Sequence, residues 1–160
     1  MTDKLRSSLN SSTLSSPMQS SPVSKPEKPV ILVVAGVIEK DGRYLLTQRL
    51  AHASQGGLWE FPGGKVEPQE TPQQALEREL MEELAIETQT GQFLADSLFD
   101  YGDKVILLKG YISHWQAGEI VLHSHQDAVW LEADAIAQYA LCPADYPIVE
   151  ALLALEAGTN

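Results

Sequence analysis

Thr71-Pro72-Gln73-Gln74-Ala75-Leu76-Glu77-Arg78-Glu79-Leu80-Met81-Glu82-Glu83-Leu84 decides how the chain is read. Thr71 is a good N-cap, Pro72 suits the first helical position, and Gln74 completes a Thr-x-x-Gln capping box. Leu76, Leu80 and Leu84 recur every fourth residue, so the spacing predicts a helix with one stripe against a core. Glu79, Glu82 and Glu83 stand at i, i+3 and i+4 and share a face beside that stripe. Three like charges so placed cost stability unless a cation neutralises them. Hard divalent ions such as Mg²⁺ take carboxylate oxygens and usually keep waters and substrate phosphates. Such an ion polarises a phosphoryl oxygen and lowers the pKa of a bound water, and a spare glutamate can serve as general base. Three glutamates alone more often form a solvated acidic face, so their meaning rests on their neighbours.

Outward from the helix, the chain reads as β-rich. Val30-Ile31-Leu32-Val33-Val34-Ala35-Gly36-Val37-Ile38 is apolar on both faces and β-branched, which predicts a central strand. Asp41-Gly42 is a two-residue hairpin signal, and Tyr44–Arg49 is the returning strand. A loop through Gly56-Gly57 leads to Trp59-Glu60-Phe61-Pro62-Gly63-Gly64. Downstream, strands are expected over residues 88–99, 104–114 and 128–131. A last helix from about Asp145 carries Ile148, Val149, Leu152 and Leu153 on one face. Many strands with two helices predict an α/β class, as an α/β/α sandwich around a mixed β-sheet.

The string Gly64-x5-Glu70-x7-Arg78-Glu79-Leu80-x-Glu82-Glu83-Leu84-x-Ile86 resembles the box of the Nudix family, G-x5-E-x7-R-E-U-x-E-E-x-G-U, with U a bulky apolar residue. The resemblance implies a Nudix fold and hydrolysis of a phosphoric anhydride with Mg²⁺, for which Mn²⁺ is a substitute. It implies that Gly64, Glu79, Glu82 and Glu83 hold the metal and that one glutamate acts as base. Arg78 matches the residue that orients a catalytic glutamate, and Glu70 its ion-pairing partner. Gly63 and Gly64 let the backbone bend where side chains would intrude. The last glycine of the pattern is Ala85 here. A glycine would suit a left-handed helix C-cap, so alanine costs about 1 kcal/mol or forces another exit.

Gln48-Arg49, the Trp59–Gly64 run and Pro143-Ala144-Asp145 resemble the MutT-like branch of the family, most of all its bacterial members that hydrolyse CTP. That implies a nucleoside triphosphate cut to monophosphate and diphosphate, with CTP, dCTP and modified or oxidised nucleotides as substrates. Arg49 is expected to clamp a phosphate, Phe61 to stack on the base, and Trp59 to assist. An ionised Asp145 only accepts, which favours an amino group such as N4 of cytosine. The alternative is hydrolysis of 8-oxo-dGTP. A late glutamate of MutT-like enzymes is replaced by Ser124, with Asp127 a weak substitute. His123 and His125 read as surface histidines.

Composition bounds the alternatives. The chain has 160 residues, 44% apolar, with formal charge −11, enough for one domain and repulsive to a nucleic-acid backbone. A small phosphorylated substrate survives that argument, because a bound cation reverses the local field. Cys142 is the single cysteine, which suits a reducing compartment. No apolar run reaches the ~20 residues needed to span a bilayer, so a cytoplasmic protein is expected, monomer or homodimer, acting on a small nucleotide and bound to no membrane. Residues 1–29 read as a disordered Ser/Pro-rich tail and residues 30–160 as the domain. Tyr101 keeps diadenosine polyphosphates open as substrates. A catalytically silent nucleotide-binding regulator is the alternative of another class, disfavoured because all box glutamates are present.

Overall fold

A computed structural model describes residues 28–158. The Ser/Pro-rich tail lies outside them except for Lys28 and Pro29; Lys28 Nζ binds the Asp100 carboxylate, and the Pro29 carbonyl accepts from Val105 N at 2.9 Å.

The apolar run at Val30 becomes β1 (Val30–Lys40), which organises the fold. Asp41 and Gly42, with φ of 54° and 78°, turn it into β2 (Arg43–Arg49), as the hairpin signal predicts. Beside β1 run the parallel β6 (Val105–Ala117) and, antiparallel, the short β4 (Gly63–Lys65); β5 (Glu87–Asp100) pairs with β6. On the far side β2 lies between β3 (Trp59–Glu60) and β7 (His125–Leu131).

Period-two alternation sends β1 side chains to two separate cores. Val34 and Ile38 join Leu76, Leu80 and Leu84 of α1 (Pro72–Leu84). Ala35 and Val37 join Ile148, Val149 and Leu152 of α3 (Tyr146–Gly158). A helix on each face of a mixed sheet is the expected α/β/α sandwich. Thr71 forms the full capping box with Gln74. Ala85 keeps the left-handed exit, at φ 62° and ψ 33°, rather than finding another.

Several elements differ from expectation. β3, β4 and α2 (Ala133–Ile136) are two to four residues long, too short to show a period. β7 starts at His125 because β2 supplies ladder partners as far as Arg49. Pro143–Asp145 is a 3-10 turn with no side-chain cap, so Asp145 precedes α3 and its carboxylate is free for another role. Among the described residues no helix is long and apolar enough to cross a membrane.

Candidate active site

Beside α1 and the strands β1, β2 and β4 opens a cavity of about 680 Å³, a size that suits a nucleotide-scale ligand. One wall is made by α1 and β4. Glu79 and Glu83 reach it from the helix, and Gly64 forms its floor. A Cβ at Gly64 would lie 2.3 Å from the Glu79 carboxyl carbon, so glycine lets that carboxylate lie against the strand where a methyl group would push it aside.

Arg78 ties the helix to the preceding loop. Its Nη2 donates to Glu70 Oε1 at 3.0 Å and to the Lys65 carbonyl at 3.1 Å, and its Nε also meets Glu70. Nη1 reaches Glu79 Oε2 at 3.1 Å and Glu82 Oε1 at 3.2 Å. The guanidinium holds the Glu70 carboxyl down to about 2, helped by the Glu67 backbone N–H. Burial pushes Glu79 up against the pull of Arg78. Burial, with the Glu79 and Glu60 charges, pushes Glu83 up to about 8. Its Oε1 is buried without a hydrogen-bond partner. Glu82 is the outlier of the three: its side chain is 59% exposed and stands outside the cavity lining.

A divalent cation fits this wall. Two carboxylates held above their usual range, one with an orphaned oxygen, gain from a positive charge, and the glycine floor leaves room for it. Among the described residues no three acidic, imidazole or thiol side chains form a closed cage. Mg²⁺ needs none, since it takes one or two carboxylates and completes its shell with water and phosphate.

Asp145, Phe61 and Arg49 also line the cavity, and the Arg49 charge acts on both Glu83 and Asp145. Asp145 is 4% exposed, and its Oδ2 accepts from Phe61 N at 2.8 Å. Burial, then the Glu60 charge, pushes its carboxyl well above the ordinary value. Burial without a direct ion pair works against the ionised, acceptor-only Asp145 expected from the sequence. Phe61 lines the cavity but is 3% exposed and packs in the α3-side core. Trp59 is not a lining residue. Its ring packs edge-on against Tyr139 at 5.2 Å, and its backbone bonds Ala140 and Cys142. The base-binding role expected of Trp59 finds no support, because β3 turns its ring into the core cluster.

Ser124 lines the cavity, whereas Asp127 is exposed and caps its own neighbour, Ala128 N. His123 is exposed as expected. His125 is not: it is 6% exposed and its Nε2 lies 2.9 Å from Glu60 Oε2. Glu60, to which the sequence reading assigns no role, also pairs with Arg49 Nη1 at 3.2 Å. Its position inside the Trp59–Gly64 run was the only available signal.

A profile of the NUDIX domain matches residues 33–151. Among curated proteins, the chain is 46% identical over 129 residues to the CTP pyrophosphohydrolase of Escherichia coli K12, covering 81% of this chain and 96% of that protein. It is 36% identical over 128 residues to the 8-oxo-dGTP diphosphatase of Haemophilus influenzae, covering 79% and 94%. Among solved structures, the E. coli ORF135 protein superimposes with a TM-score of 0.72 at 45% identity, covering 82% and 94%. The MutT protein of Methanosarcina mazei Go1 does so with 0.72 at 25% identity, covering 79% and 94%. With the box on α1, the sandwich around it and these relatives in agreement, the chain belongs to the Nudix family.

Proposed function

We propose that this enzyme is a metal-dependent nucleoside triphosphate pyrophosphohydrolase that releases a nucleoside monophosphate and diphosphate, with cytosine nucleotides preferred. The observation that carries the reading is one cavity lined by Glu79, Glu83, Gly64, Arg49 and Asp145. Glu79 and Glu83, with the Gly64 backbone, would hold Mg²⁺, and Glu82 would join from the rim. When bound there, the ion neutralises polyphosphate charge and supplies a water of lowered pKa. Arg78 holds Glu79 in place and keeps Glu70 ionised as its own anchor. Glu83, buried beside Glu79 with one oxygen free of any hydrogen bond, is placed to accept a proton from that water once the ion's charge favours its carboxylate form. Arg49 binds a phosphate oxygen, and the buried wall around Phe61 encloses the base.

When protonated, Asp145 both donates and accepts, so it matches N3 and N4 of cytosine with its two oxygens. The same pair matches O6 and N1–H of an oxidised guanine, and this favours 8-oxo-dGTP as the second reading. Hydrolysis with Mg²⁺, followed by the nucleotide products, across CTP, dCTP, 5-methyl-dCTP, 8-oxo-dGTP, ADP-ribose and diadenosine tetraphosphate separates them. The expected order is led by cytosine nucleotides; a lead by 8-oxo-dGTP selects the second reading. Glu83→Gln should lower kcat by about 10²-fold or more. A wild type inactive on every nucleotide would make the domain a silent binder.

A further inference from the structure

The pair Glu60–His125 has no part in the chemistry above, yet its geometry bears on Arg49. Because β2 runs between β3 and β7, Thr47 pairs with Glu60 and Arg49 with His125. The three side chains therefore meet although His125 is 65 residues from Glu60 in the chain. Glu60 receives Arg49 Nη1 at 3.2 and 3.3 Å, and His125 Nε2 lies 2.9 Å from its Oε2. Arg49 Nε donates to the Ser54 carbonyl at 2.6 Å. Two guanidinium nitrogens are thus engaged. Among the described residues Nη2 has no hydrogen-bond partner, and Arg49 lines the cavity.

We propose that Glu60, braced by His125, is a positioning residue that aims Arg49 at the triphosphate. The proposal rests on reading this cavity as a nucleoside triphosphate site. Stability does not explain the cluster, since a buried ion pair often holds a fold no better than apolar residues of the same volume. Charge does not explain it either, because Glu60 weakens the attraction of Arg49 for an anion. What the cluster supplies is order. An arginine side chain has many rotamers, and a phosphate that captures a mobile one must offset the ordering entropy. Glu60 and the Ser54 carbonyl fix the guanidinium beforehand. His125, with its proton on Nε2, fixes Glu60; its Nδ1 is buried and without a partner.

The two effects predict opposite signs. If Glu60 acted only as a negative charge, Glu60→Gln would improve binding of the triphosphate. If it positions Arg49, the same change weakens binding. The test is steady-state kinetics on the full chain with CTP and Mg²⁺, for wild type, Glu60→Gln, Arg49→Ala and the double variant, with melting curves for each. Glu60→Gln is expected to raise KM about tenfold, the ratio for ordering one long side chain, with kcat changed less. The double variant should be no worse than Arg49→Ala alone, because the brace has lost what it braces. An unchanged or lowered KM in Glu60→Gln, or effects that multiply in the double variant, overturns the proposal alone. If Glu60→Gln does not melt cooperatively, His125→Leu carries the test: KM must rise, and an unchanged KM overturns the proposal. A wild-type chain that releases no diphosphate from any nucleoside triphosphate overturns the reading of the cavity, and the proposal with it.

Discussion

Gly63 and Gly64 are neighbours in β4, yet a methyl group added to each meets different matter. At Gly63 it would lie 1.9 Å from the Val34 carbonyl oxygen, which belongs to the central strand. Backbone must then move, so Gly63→Ala is expected to cost about 2 kcal/mol and lower the melting temperature by about 6 °C. At Gly64 it meets the free end of the Glu79 side chain, which can swing aside. Gly64→Ala should therefore melt near the wild type but lose about 10²-fold in kcat, as a displaced catalytic group does. Melting curves beside kcat separate the two; equal destabilisation would refute the difference. Asp145 gives a prediction in pH. Its carboxyl is raised in the folded state, so the stability linked to its proton is full below the unfolded value near 3.8. It is lost as pH rises through the folded value. Asp145→Asn removes that loss and keeps an acceptor for Phe61 N. The variant should melt above the wild type at pH 8, by about 3 °C per kcal/mol recovered, and converge with it near pH 4. An offset constant with pH would contradict this.

Helix α1 is the element on which fold and chemistry meet, and both its ends are predictable. Thr71→Ala breaks a complete capping box and should cost about 1 kcal/mol. Ala85→Gly acts at the other end. Alanine holds φ 62° there, a left-handed position that costs a non-glycine residue about 1 kcal/mol, so the variant should gain somewhat less than that after chain entropy. Urea titration of both measures the pair, and a destabilised Ala85→Gly would mean that the alanine methyl packs usefully. The same helix shows what sequence makes legible. A capping box, a four-residue leucine repeat and a turn signal such as Asp41-Gly42 act within a few residues, so they can be read without a fold. Glu79 and Gly64 also belong to one short pattern. The Glu60–His125 contact and the raised Asp145 carboxyl do not. The first depends on β2 bringing β3 and β7 together, and the second on burial by segments far apart in the chain. Trp59 misleads for the same reason: nothing local tells which face of a two-residue strand carries the core.

At the scale of the molecule, the cavity lies beside α1 and the strands of the sheet, and its charge is unbalanced. Glu60, Glu67, Glu79 and Glu83 face Arg49, Lys65 and Lys104, within a chain of formal charge −11. A triphosphate entering alone meets like charge at the Glu79–Glu83 end and gains little from the three cations. A divalent ion reverses the sign there, so nucleotide and metal should bind as a unit and only to the folded chain. Ligand at a hundred times its dissociation constant then adds about 2.7 kcal/mol to stability, which is a rise of about 8 °C in melting temperature. A non-hydrolysable CTP analogue with Mg²⁺ should give that rise, and either one alone should give less than half of it. Glu83→Gln should abolish the joint effect, because the buried wall then offers the ion a single carboxylate. A full rise from the analogue without Mg²⁺ would show that Arg49, Lys65 and Lys104 suffice to hold the phosphates, and would move the role of Glu79 and Glu83 from binding to the chemical step.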